Sequence, residues 1–136
     1  MSKLNTEQVQ DMFNKALSAR ENAKCQYSNF PVGACLLAND SKTGEEKFYT
    51  GCNVEEKTFR SNCAEQVAFT KAISEGASEF KAILIVLEGV SVPCGHCRQF
   101  ISEFVDLDFE IYCAHPKRGL VNIYKIKDLL PHSFSL

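Results

Sequence analysis

The sequence predicts an α/β fold, a single sheet with helices on its faces. Segments of helical and strand periodicity follow one another in the order α-β-β-α-β-α-β-β along 136 residues. The run Ala82-Ile83-Leu84-Ile85-Val86-Leu87 is apolar without interruption and of strand length, the pattern of a central strand covered on both faces. A helical segment between the third and fourth strands makes a strand-helix-strand crossover. The length suits one domain spanning 1–136 around one core, with no internal repeat or low-complexity linker.

Each element has its own local reason. Asn5 or Thr6 can cap a first helix of about five turns, in which Val9, Met12, Phe13, Ala16, Leu17 and Ala23 recur at helical spacing. Pro31 breaks that pattern by biasing Phe30 away from helical angles, and Val32–Leu37 then reads as a buried strand. Asn39–Glu46 is a polar turn, Lys47–Val54 the second strand of a hairpin, and Asn53–Asn62, which has neither period, a loop. Val67, Ala68 and Ile73 mark a helix over Ala64–Ser74, with Gly76 past its end. After the central strand, Gly89–Pro93 turns the chain into a helix over Cys97–Val105, carrying Phe100, Ile101, Phe104 and Val105. Phe109–Cys113 and Val121–Tyr124 alternate as strands, and Lys127–Pro131 closes as a short helical turn.

Composition narrows the function. Fifteen Lys+Arg against 17 Asp+Glu give a net charge of −2, which argues against nucleic acid or an anionic membrane as partner and fits small neutral ligands better. No apolar run reaches the roughly 18 residues of a membrane span, and residues 1–5 lead into an amphipathic pattern instead of an apolar signal segment. The chain is expected to be soluble and cytoplasmic. Seven cysteines are an odd number, and three sit at metal-ligand spacing, so a disulfide framework is the weaker account. Cys25, Cys35, Cys52 and Cys113 lie among apolar or small residues and read as small buried hydrophobes.

The chemistry concentrates in Cys63-Ala64-Glu65 and Pro93-Cys94-Gly95-His96-Cys97. Both stretches fall at helix starts, where the positive end of the macrodipole favours the thiolates that zinc requires. Cys63, Cys94 and Cys97 supply three ligands and leave the fourth tetrahedral position to water, as in catalytic zinc sites. Glu65, two residues from Cys63, is poorly placed to bind the same ion and well placed to take a proton from its water, so it is the candidate general acid/base. A lone Cys-x-x-Cys could instead be a redox pair or half of a structural zinc knuckle. A structural site wants a fourth protein ligand from His96, His115 or His132, each read as a residue outside the metal set. A non-catalytic zinc module therefore predicts a closed four-ligand site, and polynucleotide editing predicts a basic surface that the charge does not supply.

A ligand-x-Glu stretch followed by Pro-Cys-x-x-Cys is the signature of zinc deaminases, and this chain carries the three-cysteine form. Tyr27–Ala34, Thr50–Glu55, Ala72–Gly76 and Leu129–Phe134 extend the likeness over nearly the whole chain, which resembles the small homotetrameric cytidine deaminases. The resemblance implies a three-layer α-β-α fold with one mixed five-stranded sheet. It implies a hydrolase of pyrimidine salvage that deaminates cytidine and 2′-deoxycytidine with zinc as cofactor. The alternative is the same chemistry on another aminopyrimidine nucleoside, such as a nucleoside antibiotic. It further implies that Asn53 and Glu55 bind ribose hydroxyls, that Phe30 lies beside the base, that Glu65 holds N3 and moves the proton, and that the Ala64 N–H serves the base carbonyl. Phe59 and Phe134 become aromatic contacts supplied by neighbouring subunits of a homotetramer with shared pockets.

Three positions depart from the family pattern. Gln66 stands where arginine is common, the segment between Glu55 and Cys63 is about one residue short, and Phe59 replaces a common tyrosine. Zinc with three thiolates carries a net negative charge that the missing arginine would offset, a task left to Arg98 beside Cys97.

Overall fold

The computed structural model describes residues 3–89 and 92–136; Val90 and Ser91, within the turn expected over Gly89–Pro93, lie outside the described residues, as do Met1 and Ser2. Helix α1 (Thr6–Arg20) starts where the expected cap stands. Asn5 Oδ1 accepts the Gln8 amide at 2.8 Å while Gln8 Oε1 accepts the Asn5 amide at 3.1 Å, so two helix-end donors are satisfied reciprocally. The remaining elements are β1 (Gly33–Asp40), β2 (Glu46–Cys52), β3 (Val54–Glu55), β4 (Ser61–Asn62), α2 (Ala64–Ser74), β5 (Ala77–Val86), α3 (Gly95–Ser102), β6 (Glu110–His115), β7 (Gly119–Lys125) and α4 (Ile126–Leu129).

One five-stranded sheet has the order β2-β1-β5-β6-β7. β5 and β6 run parallel, joined by the crossover through α3, while the other neighbours are antiparallel, so the sheet is mixed as expected. Strand alternation divides the core into two layers. Cys35 and Leu37 of β1, Leu84 and Val86 of β5, and Tyr112 and Ala114 of β6 pack with Met12 and Ala16 of α1. Leu36, Ile83, Ile85 and Ile111 point the other way, to Ala68 and Phe69 of α2 and Ile101 of α3. Helices on both faces explain why the middle of β5 lacks polar alternation. The architecture is α-β-α in three layers.

Two glycines set how closely the helices sit. A Cβ on Gly33 would lie 2.0 Å from the Ala16 carbonyl oxygen of α1, and one on Gly51 would lie 2.5 Å from the Ala64 carbonyl oxygen of α2. The second approach seats the first turn of α2 directly on β2. On the same layer, Phe69 of α2 meets Phe100 of α3 edge-on at 6.2 Å and stacks with Phe104 at 6.0 Å, so an aromatic cluster joins the two helices below their N-termini.

Several expected boundaries move. Ala23 lies beyond α1, because the chain leaves the helix to pair with another segment: the Lys24 amide donates to Asn53 O at 3.0 Å and the Glu55 amide to Lys24 O at 2.8 Å. The loop expected over Asn53–Asn62 contains the two-stranded ribbon β3-β4, with Val54 opposite Asn62 and Glu55 opposite Ser61. Two-residue strands are too short for a period to register. Val54 belongs to this ribbon, since β2 ends at Cys52. β5 starts at Ala77, its leading residues recruited by pairing with β1, and Leu87 falls just past its end. α3 occupies Gly95–Ser102, so it begins before Cys97 and stops short of Val105. Of the four cysteines expected to be buried, Cys35 and Cys113 are, and burial pushes both thiols up to about 12. Cys25 and Cys52 are only half-buried, at the edge where the Lys24 segment meets β3.

Candidate metal and substrate site

Cys63 is the N-cap of α2 and Cys94 the N-cap of α3, each with extended backbone, while Cys97 sits one turn into α3 and is fully buried. Gln66 fixes the first of these: its Oε1 accepts the Cys63 amide at 3.0 Å, a capping contact at the start of α2. The three sulfurs all lie within 4.8 Å of one another. Tetrahedral zinc with Zn–S bonds of about 2.3 Å places its sulfurs about 3.8 Å apart, so the cluster matches a three-thiolate cradle with a small adjustment. Among the described residues this is the one group of three or more potential ligand side chains close enough to share an ion. His96, His115 and His132 stand outside it; His115 Nδ1 accepts the amides of Lys117 and Arg118.

A hydrogen bond with Cys97 lowers the Cys63 pKa against the opposing effects of burial and Glu65. The same bond raises that of Cys97, reinforced by burial and by the nearby carboxylate. The two shifts run in opposite directions because the thiols share one hydrogen bond, and a bound metal ion would oppose the rise at Cys97, since ligating thiols must deprotonate.

Glu65, in the first turn of α2, is 4% exposed, and burial raises its carboxyl above the ordinary range. It opens, with the three cysteines, onto a cavity of about 290 Å³ whose lining also includes Phe30, Asn53, Glu55 and Ala64. Ile85 and Leu87 form part of its wall, so the cavity lies at the carboxyl end of β5, where open α/β sheets bind ligands beside a crossover.

Asn53 is buried and its amide is engaged at both ends: Oδ1 accepts the Val32 amide at 2.9 Å, and Nδ2 donates to Phe30 O at 2.9 Å. It thus staples the Phe30–Val32 segment to the cavity and keeps one amide hydrogen and one lone pair uncommitted. Glu55 accepts the amides of Tyr27 at 3.1 Å and Ser28 at 3.0 Å and the Ser28 hydroxyl. Ser28 and Ser61 are also in the lining; Ser28 lies in the Tyr27–Ala34 stretch of family likeness without an implied role, and Ser61 lies in the aperiodic segment before Cys63.

Phe59 stands fully exposed at φ 63, in the connection between β3 and β4, and lines a neighbouring cavity of about 320 Å³ that shares Ser28, Glu55 and Ser61. Phe134 is 68% exposed and absent from the described lining of the first cavity; Gln99 Nε2 donates to its carbonyl at 3.1 Å. Within one chain, neither aromatic closes the site. Arg98 donates from Nε to Pro93 O at 2.8 Å and from Nη1 to Leu129 O at 2.9 Å. These bonds tie the turn before Cys94 and the end of α4 to α3, and its charge lowers the buried Cys113 thiol against the larger effect of burial.

The family model described as the cytidine and deoxycytidylate deaminase zinc-binding region matches residues 6–113. A cytidine deaminase of Sporosarcina psychrophila is 42% identical, the match covering 93% of this chain and 91% of that protein. A probable cytidine deaminase of Dictyostelium discoideum is 39% identical over 97% of this chain and 87% of its own length. The crystal structure of cytidine deaminase from Burkholderia pseudomallei superposes with a TM-score of 0.82 at 34% identity, covering 98% of this chain and all of that one (100%).

Proposed function

The chain belongs to the cytidine and deoxycytidylate deaminase zinc-binding family, and from that premise we propose that it replaces the C4 amino group of cytidine and 2′-deoxycytidine with oxygen, releasing ammonia. One observation carries the proposal: three converging thiols and a buried carboxylate open onto the same cavity as Phe30, Asn53 and Glu55. Cys63, Cys94 and Cys97 would hold zinc, which when bound would supply the Lewis acidity that makes water a nucleophile near neutral pH.

The chain's residues divide the remaining work. Glu65 holds N3 of the pyrimidine and takes the two protons of the attacking water in turn, passing the first to N3 and the second to the departing amine, so that ammonia leaves and the C4 oxygen becomes a carbonyl. Burial raises its carboxyl, which favours holding the proton it takes up before passing it on. The Ala64 N–H is one of the unpaired donors at the start of α2 and serves the base carbonyl. Phe30 lies beside the base, while Asn53 and Glu55 bind sugar hydroxyls. Gln66 holds Cys63 through its amide, so the residue in the usual arginine position supports the metal by geometry. Arg98 offsets thiolate charge from the side of α3.

Residues 1–136 form one such deaminase domain, working in the cytoplasm as a homotetramer in which Phe59 and Phe134 complete neighbouring pockets. Their exposure in the single chain and the net charge of −2 support this reading over a polynucleotide substrate. No helix among the described residues is long and apolar enough to cross a membrane.

Zinc-loaded protein added to cytidine is expected to lower its ultraviolet absorbance and release one ammonia per uridine formed; no turnover at full zinc occupancy overturns the proposal. Arg98→Gln is expected to weaken zinc retention several-fold in a chelator competition, since it removes the contacts that tie α3 to Pro93 O in the turn before Cys94 and to Leu129 O at the end of α4. Unaltered retention would take Arg98 out of that role.

A further inference from the structure

We propose that Ser28 is a positioning residue for the sugar end of the cavity, holding Glu55 so that a single acceptor site on its Oε2 remains for substrate. The inference rests on the deaminase reading and extends it. Glu55 Oε1 accepts the Tyr27 and Ser28 amides, and Oε2 accepts the Ser28 hydroxyl. These contacts fill three of the roughly four acceptor sites of a carboxylate.

The hydroxyl is a link as well as a donor. Asn29 adopts φ 57, a left-handed turn that asparagine tolerates, and the Phe30 amide comes round to donate to Ser28 Oγ at 3.1 Å. A directed chain results, from the Phe30 amide through the Ser28 hydroxyl to the Glu55 carboxylate, in which each bond polarises the next. It joins the residue beside the base to the residue at the sugar. The contacts also hold the Glu55 carboxyl below its ordinary range, the Ser28 hydroxyl contributing most, so the acceptor presented to the sugar is ionised.

Ser28 and Glu55 line the cavity and Ser28 is exposed, so removing its hydroxyl leaves the core intact. Without that hydroxyl, Oε2 is free to turn away and substrate must order it on binding. The cost falls on binding, and the chemical step at C4 is spared.

The test is steady-state kinetics on cytidine with zinc-loaded wild type, Ser28→Ala, Ser28→Thr, Glu55→Ala and the Ser28→Ala/Glu55→Ala double variant. Ser28→Ala is expected to raise KM about five- to tenfold with kcat within about twofold, a loss in keeping with one hydrogen bond to a charged group. Ser28→Thr, which keeps the hydroxyl, is expected to restore KM to within about twofold of wild type. In the Glu55→Ala background, Ser28→Ala should leave KM unchanged, because Ser28 acts through Glu55. An unchanged KM in Ser28→Ala, or the same KM increase in both backgrounds, overturns the proposal. Should Ser28→Ala fail to fold, Ser28→Cys, with a weaker donor of similar size, is expected to give an intermediate KM, and a wild-type KM overturns the proposal equally. A zinc-loaded wild type that turns over no cytidine instead removes the deaminase reading on which the proposal stands.

Discussion

Glu65→Gln is expected to lower kcat on the order of 10³-fold while the protein keeps its zinc. The magnitude is that of a lost general acid/base, roughly 10²- to 10⁴-fold. Glutamine preserves the size and hydrogen-bonding reach of the side chain but cannot accept a proton and return it. Zinc content should not change, because Glu65 is outside the cluster of three sulfurs that could hold the ion. Thermal stability should hold or rise, since burial disfavours the ionised carboxylate that the substitution removes. Metal analysis, single-substrate kinetics and a melting curve on one preparation check all three. Residual kcat within tenfold of wild type would release Glu65 from its role.

Cys97→Ala is expected to abolish both zinc binding and turnover. Cys97 is the fully buried member of the trio, held one turn inside α3 by packing. Its sulfur cannot be replaced by a neighbour, because no fourth ligand side chain joins the cluster among the described residues. Zinc binds folded thiolates and so stabilises the native state, and losing one of three protein ligands forfeits that linkage. Zinc per chain should fall below about one tenth of the wild-type value, with a lower melting temperature and no added effect of chelator. Cys52→Ala, a half-buried thiol outside the cluster, serves as control and should keep metal and activity. Full zinc occupancy in Cys97→Ala would show that the cluster is not the binding site.

These effects depend on where two helices begin. The capping contact of Gln66 and the close approach at Gly51 seat the start of α2, and the Phe69–Phe100–Phe104 cluster fixes α3 against it. Preorganisation of the ligands is therefore built from ordinary packing well below the cavity. Of the residues proposed to act here, Gln66 and Asn53 are the ones whose contacts most sharpen their roles. Gln66 is a helix cap under Cys63, and Asn53 holds the Phe30–Val32 backbone as well as lining the cavity.

Most of the architecture and the chemical core of the site were legible in the residues alone. Helical and strand periods mark α1, α2, β1, β5 and β6, because each buries a continuous stripe or both faces and so leaves a regular apolar pattern. The ribbon β3-β4 left none: its strands are two residues long and mostly exposed, and it exists through pairing with each other and with Lys24. For the same reason the extension of β5 back to Ala77 and the early end of α1 were invisible. Serine at position 28 looked like one more polar residue in a turn, since nothing local indicates that its partner is Glu55.

The donor set, three thiols and one carboxylate at helix starts, can be read from the chain alone, because ligand spacing and helix capping are properties of adjacent residues. How closely Cys63 approaches Cys94 and Cys97, the burial of Glu65, and the fastening of Glu55 to Ser28 emerge only in the folded chain. Those contacts join segments far apart in the chain, and only the packing of helices on a common sheet sets the distances between them.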